Sequence, residues 1–192
     1  MREFGRRLGS FFLDILQTIV LALSIFVVSY LFLVQPHQVR GSSMYPNFED
    51  NDFLLTDKIS YRFGEPQRGE VVIFKAPPSE PCSAEECEYI KRIIGLPQET
   101  IKVQDGYIFV NDQKLIEDYL PKGLRTTPGN FLSEGKEVTL GKGEYLAFGD
   151  NRPSSRDARE FGPIKREAII GHAWFRYWPP PKVGLVPKAR FN

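Results

Sequence analysis

The chain has 192 residues, with 25 Lys and Arg against 24 Asp and Glu and a formal net charge of +1. So even a balance sets up no broad field for gripping a nucleic-acid backbone, and that class of partner is set aside. Two cysteines and two histidines leave little for a metal centre, and His37 and His172 lack ligand-like spacing.

From Ile15 to Val34 the chain reads ILQTIVLALSIFVVSYLFLV, with Gln17, Thr18 and Ser24 as minor polar interruptions. About 20 apolar residues match the thickness of a bilayer core, so one transmembrane helix is predicted over 15–34. A cleaved secretory signal has a shorter apolar core, about 7 to 15 residues, followed by a small-residue site. Leu33-Val34-Gln35-Pro36-His37 offers no such site, which favours a retained signal anchor. Arg2, Arg6 and Arg7 precede the helix. By the positive-inside rule residues 1–14 stay cytoplasmic and the rest is extracytoplasmic.

Just beyond lies Gly41-Ser42-Ser43-Met44-Tyr45-Pro46; taken alone, a serine pair after glycine is an ordinary turn. Beyond Pro36 the chain becomes a series of short β-branched or aromatic runs, from Phe53-Leu54-Leu55 to Ala168–Trp178, mostly separated by turn residues. Asp105-Gly106 between two such runs is a hairpin signal. No long amphipathic helix follows the anchor, so an antiparallel β domain is predicted. The fold expected is therefore mainly β: a transmembrane helix, a β core from 35–104 and 144–192, and a smaller β lobe inserted over 105–143. Cys82 and Cys87 share an acidic, loop-like segment. On the oxidising side of a membrane they predict a short-loop disulfide, two free thiols being the alternative.

A reactive serine needs a base. A Ser-His-Asp arrangement requires a histidine positioned by an acid; His37 sits at the membrane edge and His172 within a strand run, and neither is excluded by sequence. Lysine can serve if neutral, and lowering its pKa by about 3 units costs roughly 4 kcal/mol, supplied by apolar burial without a carboxylate partner. Lys91 lies in Tyr89-Ile90-Lys91-Arg92-Ile93-Ile94-Gly95-Leu96-Pro97. Period 2 sets Tyr89, Lys91 and Ile93 on one face of a strand. A lysine snorkelling from an edge strand fits the same pattern.

Four segments in order resemble the boxes of type I signal peptidases, or leader peptidases, of the smaller single-anchor bacterial or thylakoid type. They are Gly41–Pro46, Arg68-Gly-Glu-Val-Val-Ile-Phe-Lys-Ala-Pro77, Tyr89–Pro97 and Gly149-Asp-Asn-Arg-Pro-Ser-Ser155-Arg-Asp157-Ala-Arg159. The resemblance implies a membrane-bound serine endopeptidase that removes signal peptides after small residues in an Ala-x-Ala pattern. It implies Ser43 as nucleophile, Lys91 as general base and Ser155 as the hydroxyl that orients the lysine, with no metal or cofactor. The oxyanion donors implied are the Ser43 N–H and a group two residues upstream, here Gly41, where some members carry a serine hydroxyl. Arg92, Asp150, Asp157 and Arg159 match a structural charge cluster. Val39, Met44, Ile73 and Ile90 match pocket-lining positions.

Phe48, Phe53, Leu54 and the Trp174–Trp178 stretch are candidates for an apolar surface resting on the membrane. The partners implied are preprotein signal peptides and the lipid bilayer of a plasma or thylakoid membrane, with room for contact with the secretion machinery. Two rival classes share parts of the pattern. A self-cleaving Ser-Lys repressor would carry a DNA-binding or regulatory region where this chain has an apolar helix, and an anchored β module that binds without catalysis would leave the Ser43, Lys91 and Ser155 boxes unexplained.

Overall fold

A computed structural model describes residues 2–80, 87–189 and 191. Helix α1 (Arg2–Phe32) opens the chain, and its segment Phe11–Tyr30 has a mean hydropathy of 2.4 with none of it covered by the rest of the protein. By length and composition this segment can cross a membrane.

The helix ends at Phe32, short of the expected Val34, because Val34–Gln38 forms strand β1. Pro36 lies within β1 and cannot continue a helix, but it is tolerated in a strand at a sheet edge.

The remaining elements are β2 (Phe53–Asp57), a single turn α2 (Ser60–Phe63), β3 (Val71–Lys75), β4 (Glu88–Gly95), β5 (Thr100–Gln104), β6 (Tyr107–Val110), β7 (Gln113–Lys114), β8 (Glu137–Thr139), β9 (Glu144–Phe148), α3 (Ala158–Phe161), β10 (Ile164–Lys165), β11 (Ile169–Trp178) and β12 (Gly184–Leu185). Among the described residues, one sheet runs β1-β2-β11-β3-β4-β9-β10, with β12 added on β11. A second runs β7-β6-β5-β8. Every pairing is antiparallel, as the short runs and tight turns predict. The second sheet includes Thr100–Gln104, upstream of the 105–143 stretch expected as an inserted lobe.

Three apolar clusters hold the strands. Ile94, Leu146 and Phe148 of the large sheet pack with Ile101, Val103, Ile108 and Val110 of the small one. Val72, Phe74, Ile93 and Ala147 form a second cluster with Tyr61 from α2, and Val39, Met44, Phe48, Leu54, Val71, Ile73 and Ala173 form a third. At about 25 cal/mol per Å² of apolar surface removed from water, such clusters supply the main favourable term for folding. Phe48 and Leu54, expected near the membrane, instead belong to this third cluster at 1% and 0% exposure. Leu54 lies on the inward face of β2, whose residues alternate between buried and half-buried. Trp174, Tyr177 and Trp178 remain exposed, and Phe53 packs against the Tyr177 ring.

Candidate active site

The Ser43 turn is held from below and behind. Val39, Met44 and Phe48 sink into the third apolar cluster on either side of Ser43. The backbone is closed by Val39 N–H to Asp52 O (2.8 Å), Asn51 N–H to Val39 O (2.9 Å) and Phe48 N–H to Met44 O (2.9 Å). Gly41 adopts φ +81°, a left-handed conformation that suits glycine, and its N–H donates to Asp50 Oδ1 at 2.7 Å. That N–H is thereby committed. The N–H of Ser43 itself has no acceptor among the described residues.

Lys91 approaches from β4. Its Nζ donates to Ser43 Oγ at 2.8 Å and to Ile90 O at 3.0 Å. The side chain is buried, with the Tyr89 ring centroid 5.3 Å from Nζ and no carboxylate in ion-pair contact among the described residues. Burial pushes the lysine pKa down from its ordinary value to about 8, against the opposing pull of the more distant Asp157, Asp150 and Glu80 carboxylates. A large fraction of Lys91 is thus neutral near pH 8, with a hydroxyl in reach.

The segment that follows β9 braces both residues. Asn151 N–H donates to Ser43 O (3.0 Å) and Asn151 Nδ2 to Ser42 O (2.9 Å). Gly149 is forced to be glycine by closeness: a Cβ there would lie 2.1 Å from Ser155 Oγ and 2.5 Å from Ser43 O. Ser155 is therefore close to the Ser43 turn, but the expected hydrogen bond from Ser155 to Lys91 is absent, and Ser155 Oγ is buried without a partner.

The four expected charged residues form two buried pairs rather than a single cluster. Arg92 grips Asp150 with Nε to Oδ1 (2.9 Å) and Nη2 to Oδ2 (2.7 Å), and its Nη1 donates to Gly69 O (2.8 Å). Arg159 grips Asp157 in the same forked way, both bonds at 2.8 Å. Asp157 also accepts from Gly149 N–H (2.9 Å), and Arg159 donates to Arg152 O (2.8 Å). Forked arginine–carboxylate pairs of this kind fix orientation as well as charge.

A third buried arginine lacked a sequence signal of its own. Arg152 donates to Glu117, Tyr119 Oη, Thr126 Oγ1 and Gly149 O, joining the 149–157 segment to residues distant in the chain. Asn47 bonds Asp150 Oδ2 (2.9 Å) and Tyr119 O (3.1 Å). Asn151 and Arg152 sit inside the Gly149–Arg159 box, so the box marked their neighbourhood. Glu117, Thr126 and Asn47 carry no local mark.

The Ser43–Lys91 pair opens onto a cleft of about 550 Å³. One wall is Gln35–Arg40 and the other is Glu88–Lys91, with Leu54, Ile73 and Arg156 between them. Val39, Ile73 and Ile90 line this cleft; Met44 does not, being 1% exposed in the core. Among the described residues both walls are strand edges: β1 pairs only with β2, and β4 meets β9 only from Arg92 onward. Arg156 is anchored by a forked pair to Glu80 (2.8 and 3.0 Å), which also accepts from Tyr89 Oη (3.1 Å). Cys82 lies outside the described residues, and with it the expected pairing to Cys87.

A family model described as signal peptidase, peptidase S26, matches residues 12–178. A probable signal peptidase I-2 of Synechocystis is 36% identical over 178 residues, covering 91% of this chain and 77% of that protein. The signal peptidase IB of Staphylococcus aureus is 31% identical over 180 residues, covering 86% of this chain and 91% of that protein. A crystal structure of a signal peptidase I from Enterococcus faecalis aligns at 30% identity with a TM-score of 0.45, over 57% of this chain and 97% of that one.

Proposed function

The chain belongs to the signal peptidase family, peptidase S26, and cleaves signal peptides; we propose that it does so as a membrane-bound serine endopeptidase with Ser43 as nucleophile and Lys91 as general base. The observation that carries this reading is the 2.8 Å approach of Lys91 Nζ to Ser43 Oγ, made by a buried lysine that, among the described residues, has no carboxylate in ion-pair contact. A carboxylate at Lys91 would hold it protonated. Its absence lets burial set the pKa.

The steps follow from that geometry. The neutral amine takes the Ser43 proton as Oγ attacks the scissile carbonyl, and the resulting ammonium gives that proton to the leaving amine. Water then hydrolyses the acyl-enzyme with the lysine acting again as base. The unpaired Ser43 N–H supports a role as oxyanion donor, a contribution that is worth about 3 kcal/mol per donor in related chemistry. The Gly41 N–H is turned to Asp50 and is a poorer candidate. In this reading the Ser155 hydroxyl, buried without a hydrogen-bond partner among the described residues, orients the lysine.

The substrate lies as an extended strand in the cleft, bonded to the free edges of β1 and β4, with small residues at the first and third positions before the cut facing Val39, Ile73 and Ile90. Branched apolar walls admit alanine and exclude larger groups. The apolar helix α1 holds the site at the bilayer with its N-terminus cytoplasmic, and the exposed Trp174 and Trp178 suit an interfacial contact.

The test is cleavage of a preprotein in detergent by wild type, Ser43→Ala and Lys91→Ala. Loss of at least about a thousandfold in both variants, with folding retained, is the expected outcome. Equal cleavage by all three would refute the dyad.

A further inference from the structure

Against the burial that favours a neutral Lys91, three carboxylates lie close enough for their charge to favour its ammonium form: Asp157, Asp150 and Glu80. Each of the three is clamped by an arginine fork. Arg159 holds Asp157 (both bonds 2.8 Å), Arg92 holds Asp150 (2.9 and 2.7 Å), and Arg156 holds Glu80, Nε to Oε2 at 2.8 Å and Nη2 to Oε1 at 3.0 Å. The first two pairs are buried on both sides. The third is different: the Glu80 side chain is 0% exposed but that of Arg156 is 56% exposed, and neither residue has a part in the proposed chemistry.

Glu80 is set into the wall of the lysine site. It lies in the turn after β3, where its N–H donates to Pro77 O (2.9 Å), and its Oε2 also accepts from Tyr89 Oη (3.1 Å). The Tyr89 ring centroid is 5.3 Å from Lys91 Nζ, so one side chain links the carboxylate to the amine. A carboxylate so placed holds a lysine protonated unless its charge is balanced. A forked guanidinium, which cannot shed its proton, balances it permanently. The other charged or titratable side chains along the cleft are Arg40 and the facing pair Glu88 and His37, 2.9 Å apart.

We propose that Arg156 is a positioning residue for the reaction, acting on Lys91 through Glu80: it balances the third carboxylate near the base, as Arg159 and Arg92 balance the other two. This rests on the proposal that Lys91 is the general base. The sign of each change follows from the charge left behind. Arg156→Gln leaves a net negative charge that favours the ammonium, Glu80→Gln leaves a net positive charge that disfavours it, and the double variant leaves neither. One unit charge at this range, in surroundings partly open to water, displaces a titration by about half to one pH unit.

The experiment is the pH profile of kcat/KM on a preprotein, cleaved by the full chain in detergent, for wild type, Arg156→Gln, Glu80→Gln and the double variant. The rising limb is expected at about pH 8 in wild type, about half to one unit higher in Arg156→Gln, lower by a similar amount in Glu80→Gln, and back near 8 in the double variant. At pH 7, relative to its own plateau, cleavage then falls about three- to tenfold in the first variant and rises in the second. The midpoint of a limb depends neither on the plateau rate nor on the folded fraction of a preparation, so a merely structural contact does not move it. A limb at the same pH in all four proteins would overturn the proposal, as would single variants that displace it in the same direction. Failure of the dyad reading has a different signature, cleavage with a limb near pH 8 that survives in Lys91→Ala.

Discussion

Lys91 and Arg92 are neighbours on β4, at 4% and 3% exposure, and the two faces of that strand treat them in opposite ways. The face of Arg92 supplies Asp150, two charge-assisted bonds and the Gly69 carbonyl. The face of Lys91 supplies a serine hydroxyl, one carbonyl, an aromatic ring and a cleft. Burial is the same; the partner decides the consequence. An arginine cannot shed its proton and must be paired, whereas a lysine without a partner can become a base. In the proposed reading one strand thus carries both a structural cation and a reactive amine, because period 2 separates them.

The contrast is most sharply broken by removing each cation in turn. Arg92→Met leaves Asp150 buried without its arginine, and a loss of about 3–5 kcal/mol in unfolding free energy is expected from urea titration in detergent. Lys91→Met should do the reverse. Its folded pKa of about 8 lies below the ordinary 10.5, so the unfolded state binds more protons between these values and wild-type stability rises with pH across that window. Below about pH 8 the folded state carries the full penalty of a buried ammonium, about 3 kcal/mol. Lys91→Met is then expected to be up to about 3 kcal/mol more stable than wild type at pH 7, with the pH 8–10.5 slope gone and cleavage lost. A Lys91→Met protein less stable than wild type would show that the lysine has a partner's support after all.

In the proposed mechanism the same titration sets the rate. Cleavage by wild type is expected to rise about tenfold per pH unit up to about pH 8 and level off above it, measured as kcat/KM on a preprotein. A limb near 10.5 would mean that burial does not depress the amine. The smallest effect tests the brace behind Ser43. Asn151→Ala removes the side-chain bond to Ser42 O but leaves the backbone bond to Ser43 O, so a loss of about 1 kcal/mol and a several-fold drop in kcat are expected.

Much of the architecture was legible as pattern. The apolar run announced α1, and alternating short runs with Asp105-Gly106 announced antiparallel strands, because the periods of 3.6 and 2 are properties of local backbone geometry. The helix end was misjudged at Val34, since whether Val34 and Gln35 continue a helix or join a strand depends on Asp57 and Thr56 as partners. Phe48 and Leu54 were misplaced for a related reason. An apolar side chain suits a core and a bilayer surface equally, and only packing chooses.

The site shows the same division. Ser43, Lys91 and the 149–159 segment stood out through ordered boxes. Arg152 reaching Glu117 and Thr126, and Asn47 reaching Asp150, join residues far apart in the chain, and no local periodicity records such contacts.

By itself, then, the sequence determined what nearest neighbours and short periods decide: an apolar helix, antiparallel strands, a serine in a glycine turn and a lysine flanked by apolar residues. Tertiary structure alone decided that the lysine amine meets the serine hydroxyl across 48 residues of chain, that no carboxylate of the described residues pairs with that amine, and that two strands form the walls of one cleft. The physical reason is that charge state and reactivity depend on what fills the few ångströms around an atom, and in a β fold those neighbours come from elsewhere in the chain.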